Sequence, residues 1–108
     1  MDLSLNCLVL GDDKKKVFTV KVPDSDNVSI LKDLIKGKKT PHLDHLAASD
    51  LDLWKVNVNL PLEAAVNLTL DTSDYQMLTS PIAKLSSFFE FTPNDEYIHI
   101  IVKAPGTL

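Results

Sequence analysis

The feature that most constrains the fold is an apolar segment near the end of the sequence, from Tyr97 to Lys103. Its core consists of residues that favour strands, namely Ile98, Ile100, Ile101 and Val102. Successive side chains of a strand point to opposite faces, so this segment carries apolar residues on both faces. Such a strand must be covered on both sides, and we therefore predict that it lies in the middle of a sheet.

Two segments at the start of the sequence predict a hairpin. Leu3 to Leu10 is mostly apolar, and the Gly11-Asp12-Asp13 sequence that follows is typical of a turn. Lys16 to Val22 alternates between apolar and polar side chains, and Pro23 ends that alternation. Three consecutive lysines, residues 14–16, are expected in solvent at the hairpin tip.

The next segment, from residue 28 to residue 36, has the pattern of an amphipathic helix. Asn27 precedes it and is the predicted N-cap, because its side chain can accept a hydrogen bond from a free backbone N–H. Gly37 follows and is predicted to end the helix in a left-handed conformation. The apolar stripe, which recurs at helical spacing, consists of Val28, Leu31 and Ile35.

The second half of the sequence adds shorter elements. Leu51 to Val58 alternates and predicts a third strand, which Pro61 closes. Ala64 to Leu70 fits either a short strand or an irregular edge of the sheet. Ser80 and Pro81 are typical of a helix start, so they predict a short helix. Its apolar stripe would consist of Ile82, Leu85 and Phe88 or Phe89.

The order of these elements predicts an α+β fold of the ubiquitin-like β-grasp type. If the last strand is central, its natural neighbour is the apolar first strand, and the two run parallel. The long helix then crosses one face of the sheet. We therefore expect a mixed sheet of four or five strands with one long helix and one short helix, formed as a single domain by the 108 residues.

Composition argues against several classes of ligand. The net charge is −4, and all eleven basic residues are Lys. Arg is the side chain that binds a phosphate group or a guanine base through two hydrogen bonds at once. Because the chain has no Arg and is acidic, we predict no nucleic-acid binding by this domain. No stretch approaches the ~20 apolar residues that span a bilayer, so we predict no membrane span. The acidic opening Met1-Asp2-Leu3 does not resemble a classical signal peptide.

We predict no cofactor, no metal site and no small-molecule substrate. The glycines are isolated, which excludes a glycine-rich phosphate loop; they are Gly11, Gly37 and Gly106. His42 and His45 lie three residues apart, but a metal site needs further ligands on the same side. We interpret this pair as exposed histidines in a loop.

Two residues with catalytic potential are interpreted as structural, and we predict that the chain is not an enzyme. Cys7 lies in an apolar run, where a thiol usually packs as a small hydrophobe. His99 lies in the last strand, where a backbone hydrogen-bond partner is a more common role than that of a catalytic base. Trp54 fits two roles, an anchor in the core and a contact residue on a recognition surface.

Five segments, in order along the chain, together resemble the N-terminal header domain of the Crinkler effectors. The most characteristic is the Leu-x-Leu-Trp-Lys-Val sequence of residues 51–56, which is similar to the Leu-x-Leu motif region of that family. The others are Asn6 to Val9, Asp26 to Ile35, Leu78 to Ser86 and Tyr97 to Val102. In the motif, Trp54 stands where oomycete members have Phe, and Lys55 comes earlier than their Lys.

The resemblance implies a function that the residue chemistry does not. Crinklers are modular secreted effectors of oomycetes and fungi, with a ubiquitin-like N-terminal domain that is associated with translocation into host cells. Variable C-terminal domains act in the host cell, commonly in the host nucleus. The implied role here is translocation and protein–protein interaction. The translocation-motif-like residues are Leu51, Asp52, Leu53, Trp54, Lys55 and Val56.

The resemblance also implies a division of the chain and a choice of partners. Residues 1–103 would form a ubiquitin-like Crinkler N-terminal domain, and residues 104–108 would begin a linker to a C-terminal effector domain. The protein partner would come from the host or would be a second copy of this chain. As an alternative to translocation, an exposed strand edge in residues 62–70 would serve homodimerisation or an adaptor role.

Overall fold

The computed structural model describes residues 2–39, 46–65, 73–89 and 94–104. They form a five-stranded mixed sheet with one long helix on one face. The strands are β1 (Asp2–Val9), β2 (Phe18–Pro23), β3 (Asp52–Val56), β4 (Tyr75–Met77) and β5 (Ile100–Lys103). The helix is α1 (Val28–Lys38). Short 3₁₀ helices cover Lys14–Lys16, Ala48–Asp50, Leu62–Ala64 and Leu85–Ser87.

The strand order is β2-β1-β5-β3-β4, so β5 lies in the centre of the sheet as its two apolar faces predict. β5 pairs with β1 in parallel, and Leu8 lies beside Ile101 in that pairing. Its other neighbour, β3, runs antiparallel to it and places Leu53 beside Val102. The hairpin of β1 and β2 and the pair β3–β4 are antiparallel. The predicted β-grasp arrangement is therefore confirmed.

Each face of the sheet has its own apolar core, because the strands alternate in the direction of their side chains. On one face the helix-side core joins the apolar stripe of α1 to the sheet. It includes Leu3, Leu5, Cys7, Val20, Val22, Val28, Leu31, Ile35, Leu51, Leu53, Leu85, Ile100 and Val102. On the other face lies a smaller cluster, here called the opposite core, formed by Leu8, Val56, Leu60, Ala65, Ile98 and Ile101.

Helix α1 begins as predicted and ends later than predicted. The Asn27 side chain accepts a hydrogen bond from the backbone N–H of Ile30 at 3.0 Å. Gly37, however, lies inside the helix, which continues to Lys38 and is capped by Lys39 at a φ of −102°. The Lys39 ammonium lies 3.2 Å from the Asp12 carboxylate and stacks over the Phe18 ring. These tertiary contacts hold the last turn, so no left-handed glycine is required.

The connection of the first hairpin is longer than the predicted Gly-Asp turn. Gly11 does take a positive φ of 95°. The chain then makes a 3₁₀ helix over Lys14–Lys16, and the Asp13 carboxylate caps it by accepting from the backbone N–H of Lys15 at 2.8 Å. As a result, β2 starts at Phe18, two residues after the predicted start.

The fourth strand and the short helix differ from the prediction. Of the segment 64–70, Ala64 ends a 3₁₀ helix and residues 66–70 lie outside the described residues, while the fourth strand forms later, at Tyr75–Met77. The predicted helix at Ser80 is absent from the described residues 80–84, and a single 3₁₀ turn starts at Leu85. The carbonyl groups of Pro81 and Ala83 instead accept hydrogen bonds from the first N–H groups of α1, at 2.9 and 3.1 Å. Ile82 is left 80% exposed.

Candidate functional site

The motif-like residues 51–56 comprise strand β3 (Asp52–Val56) and Leu51, the residue before it. Their side chains enter both cores. Leu51 and Leu53 are fully buried under α1 in the helix-side core. Val56 is buried in the opposite core, and Trp54 packs against that same cluster. Most of the apolar surface of the motif therefore stabilises the fold and is not available to a partner.

The backbone of β3 is also engaged, since the strand has a neighbour on each side. Trp54 lies beside Ile101 of β5 on one side and beside Met77 of β4 on the other. Beyond the ladder, the carbonyl of Leu53 accepts from the N–H of Leu78 at 2.9 Å. β3 therefore offers little backbone for pairing with an added peptide strand.

Three side chains of the motif reach solvent in part, those of Asp52, Trp54 and Lys55. Asp52 and Lys55 are both half-buried. The Lys55 ammonium donates to the Asn57 side-chain oxygen at 2.8 Å and lies 5.5 Å from the centroid of the Phe89 ring. Partial burial lowers the pKa of Lys55. Polar recognition by this strand would therefore depend on Asp52 and Lys55.

Trp54 is half-buried, so part of its side chain belongs to the core and part lies at the surface. The ring packs against the opposite core. Its indole N–H is buried and has no hydrogen-bond partner among the described residues. An unpaired buried donor has a free-energy cost, so the indole contributes through apolar contact and not through its polar atom.

His99 lies just before β5, which begins at Ile100 and not at the predicted Tyr97, and its ring links β1 to Asn94. Its Nδ1 accepts a hydrogen bond from the backbone N–H of Asn6 at 2.9 Å, and its Nε2 lies 2.6 Å from the carbonyl oxygen of Asn94. This arrangement requires the neutral ring with the proton on Nε2. The side chain is 6% exposed, and burial lowers the pKa of His99. With both nitrogens engaged, His99 has no free atom to act as a catalytic base.

The remaining candidates for catalysis or metal binding are Cys7 and the pair His42 and His45. Cys7 is fully buried in the helix-side core, and burial raises the pKa of its thiol, so it is not a nucleophile at neutral pH. His42 and His45 lie outside the described residues. Within the described part of the chain, no cluster of three or more His, Cys, Asp or Glu side chains is arranged to hold a metal ion. The described helices include none that is long and apolar enough to cross a membrane.

A groove that the sequence did not predict lies between the edge strand β2 and helix α1. Its cavity volume is about 280 Å³. It is lined by Thr19, Val20, Lys21, Leu34 and Lys38 and is here called the β2–α1 groove. The sequence placed these residues only in a hairpin and a helix, and the groove exists because the fold brings the two elements side by side.

Comparison with known proteins connects this architecture to a family. A sequence model of the Crinkler effector protein N-terminal domain matches residues 3–103. This chain belongs to the Crinkler family. Among relatives of this Crinkler domain, Crinkler effector protein 1 of Rhizophagus irregularis is 32% identical over 106 residues, which are 97% of this chain. The chain spans 22% of the length of that relative.

The fold of this Crinkler domain also has a counterpart among solved structures. The C-terminal ubiquitin-like domain of mouse tubulin-specific chaperone e superposes with a TM-score of 0.63, covering 98% of this chain and 89% of the other. The two sequences are 16% identical, so the likeness concerns the fold. The predicted ubiquitin-like α+β fold and the family resemblance are both confirmed.

Proposed function

We propose that this chain is the non-catalytic N-terminal domain of a secreted Crinkler effector and that it serves translocation into host cells and protein–protein interaction. The observation that carries the proposal is the match of residues 3–103 to the Crinkler effector N-terminal domain. Nearly the whole chain aligns with only 22% of a Crinkler effector relative, which supports an N-terminal domain that precedes a larger effector region.

The state of the two candidate catalytic side chains supports a non-catalytic domain. A nucleophilic cysteine needs a thiolate, and burial of Cys7 disfavours the charged form. A general base needs a free lone pair near the reacting group, and both ring nitrogens of His99 are used within the domain. The chemistry of the effector would then belong to the C-terminal region.

In the full effector, residues 1–103 would form the ubiquitin-like N-terminal domain and residues 104–108 would begin the connection to the effector domain. Secretion, action in the host cell and arrival in the host nucleus are parts of this proposal that follow from the family. They would be attributes of the whole effector, with the N-terminal domain acting as the part that is recognised during translocation.

The contribution of residues 51–56 to translocation can be separated from their contribution to folding. Leu51 and Leu53 are fully buried, so changing them would destabilise the domain and reduce any function indirectly. Asp52 and Lys55 reach solvent and are the residues through which the motif would act directly. The informative variant is therefore Asp52→Ala combined with Lys55→Ala.

The test fuses the chain to a fluorescent reporter and measures reporter uptake by host cells. We expect uptake of the wild-type fusion, and reduced uptake of the Asp52→Ala/Lys55→Ala fusion with an unchanged circular dichroism spectrum. Leu53→Ala is the control for loss of uptake through destabilisation of the fold. If the wild-type fusion stays outside cells, the translocation role is wrong. If the folded double variant enters as well as wild type, residues 51–56 serve folding alone.

A ubiquitin-like homodimerisation or adaptor module without a translocation role is the alternative. The observation that favours it is that β2 and β4 end the described sheet, so each has one unpaired edge. The segment that the sequence suggests for this role, residues 62–70, contains a 3₁₀ helix at Leu62–Ala64 and continues outside the described residues. Light scattering across a range of protein concentrations would reveal a dimer, and a constant monomer mass would exclude one.

A further inference from the structure

We propose that the β2–α1 groove binds an extended acidic peptide of a partner protein, which adds to the sheet as a strand along β2. The inference deepens the protein-interaction part of the proposed function by naming the site and the chemistry of the partner. It does not depend on translocation, because binding of such a peptide is a property of the domain itself.

The free edge of β2 supplies the backbone for this interaction. On its inner side β2 pairs with β1 from Phe18 to Pro23. On its outer side no strand of the described part of the chain pairs with it, since β2 ends the sheet. Alternate residues of such an edge direct their N–H and C=O groups away from the sheet. An extended peptide is the ligand whose backbone matches that row of donors and acceptors.

The groove beside this edge selects an apolar side chain. Val20, which is buried, and Leu34, which is 38% exposed, provide its apolar surface. Leu34 lies on α1 between residues that point into the helix-side core, yet it remains open to solvent. Side chains of an added strand alternate, so every second residue of the peptide would enter the groove of about 280 Å³. A Val or Ile side chain at that position would cover Leu34.

The rim of the groove is positively charged in a protein that is acidic as a whole. Lys38 of α1 lines it, and Lys21 borders it at the edge of the sheet, where the Lys21 side chain starts from the face of β2 opposite to Val20. Both lysines are exposed, while the chain carries a net charge of −4. The neighbouring Lys39 already has a carboxylate partner in Asp12, at 3.2 Å. Lys21 and Lys38 have no such partner among the residues that the structure describes. Carboxylates on either side of the apolar tract of a peptide would complement these two ammonium groups.

The test is a titration of the ¹⁵N-labelled 108-residue chain with a synthetic peptide, followed by NMR. The peptide has a central tract of Val and Ile flanked on both sides by Asp and Glu. We expect chemical-shift changes concentrated at residues 19–21, at Leu34 and at Lys38. A peptide with the same tract flanked by Lys should bind more weakly, and a proline inside the tract should abolish binding, because strand addition needs the backbone N–H.

Charge reversal at the rim tests the proposed complementarity. Lys21→Glu combined with Lys38→Glu should weaken binding of the acidic peptide by at least about fivefold, the effect of losing one good surface ion pair. The matched control is Lys15→Glu combined with Lys16→Glu, which changes the net charge equally at exposed positions outside the groove. Raising the salt concentration should reduce the difference between the two variants.

Several outcomes would overturn the proposal. These are an absence of shifts at the groove, equal affinity for the Lys-flanked peptide, or an equal loss of affinity in the two charge-reversal variants. Line broadening that depends on protein concentration without peptide would show that a second copy occupies the edge. A chain that binds the peptide but fails in the uptake assay would contradict translocation and leave this inference intact.

Discussion

Strands β3 and β2 make opposite use of similar alternating sequences. β3 carries the most recognisable motif, yet it has a neighbour on each side and inserts side chains into both cores. β2 carries an ordinary sequence, yet it lies at the edge of the sheet beside a groove, with Thr19 and Lys21 exposed. A motif that marks a family can therefore be a folding determinant, while the surface suited to binding is formed by unremarkable residues.

The largest expected effect in this comparison is at the centre of β3. Leu53→Ala should lower the free energy of unfolding by about 3 kcal/mol, because it removes a fully buried side chain and leaves a cavity under α1. Urea unfolding followed by circular dichroism measures the change. Thr19→Ala on β2 is the matched control and should cost no more than about 1 kcal/mol, the net contribution of the hydrogen bond that the Thr19 hydroxyl donates to the Asn6 side-chain oxygen. Similar losses in the two variants would contradict the assignment of β3 to the core.

The next largest effect concerns Trp54 on the other face of β3. Trp54→Ala should cost about 2 kcal/mol, since the indole is half-buried against the opposite core. Trp54→Phe should cost less than Trp54→Ala, because it keeps an aromatic ring and removes the buried N–H that has no partner among the described residues. Unfolding of Trp54→Ala at the wild-type midpoint would instead make Trp54 a surface contact residue.

A smaller effect should appear as a dependence of stability on pH. Burial lowers the pKa of His99, so the folded state favours the neutral ring. The stabilisation is complete above the ordinary pKa of about 6.5 and is lost as the pH falls from there towards the folded-state pKa. Protonation would also break the hydrogen bond from the Asn6 backbone N–H to Nδ1. The free energy of unfolding should therefore fall on acidification.

The control for this pH effect is His99→Gln, which keeps an amide in place of the ring but does not titrate. Its unfolding free energy should change less between pH 7 and pH 5 than that of wild type. Every other side chain is the same in both proteins, so the difference between the two pH profiles isolates His99. Parallel profiles would show that the ring is not held neutral by burial.

The smallest expected effect on stability is at the rim of the β2–α1 groove. Lys21→Glu combined with Lys38→Glu should change the free energy of unfolding by less than about 0.5 kcal/mol per site, because both side chains are exposed. Thermal unfolding checks this expectation. A large loss would mean that these lysines support the fold, which would remove the contrast between β2 and β3.

The sequence by itself determined the elements whose signals are local. The apolar residues on both faces of β5 required a central strand, and the side chain of Asn27 started α1. The alternation of residues 51–58 predicted β3, which the structure forms over the shorter range Asp52–Val56. It also predicted that Cys7 packs as a hydrophobe and that His99 bonds to the backbone. In each case a single residue or a short periodic pattern carries the physical information.

Only the tertiary structure decided the features that depend on contacts between distant segments. Contacts of Lys39 with Asp12 and Phe18 extend α1 past Gly37, and the first turn of α1 takes the carbonyl of Pro81 that a local helix would have used. The groove beside Lys21 arises in the same way, because it needs α1 to lie next to a strand with an unpaired edge. A sequence records which residues are apolar, but the fold decides which surface stays open.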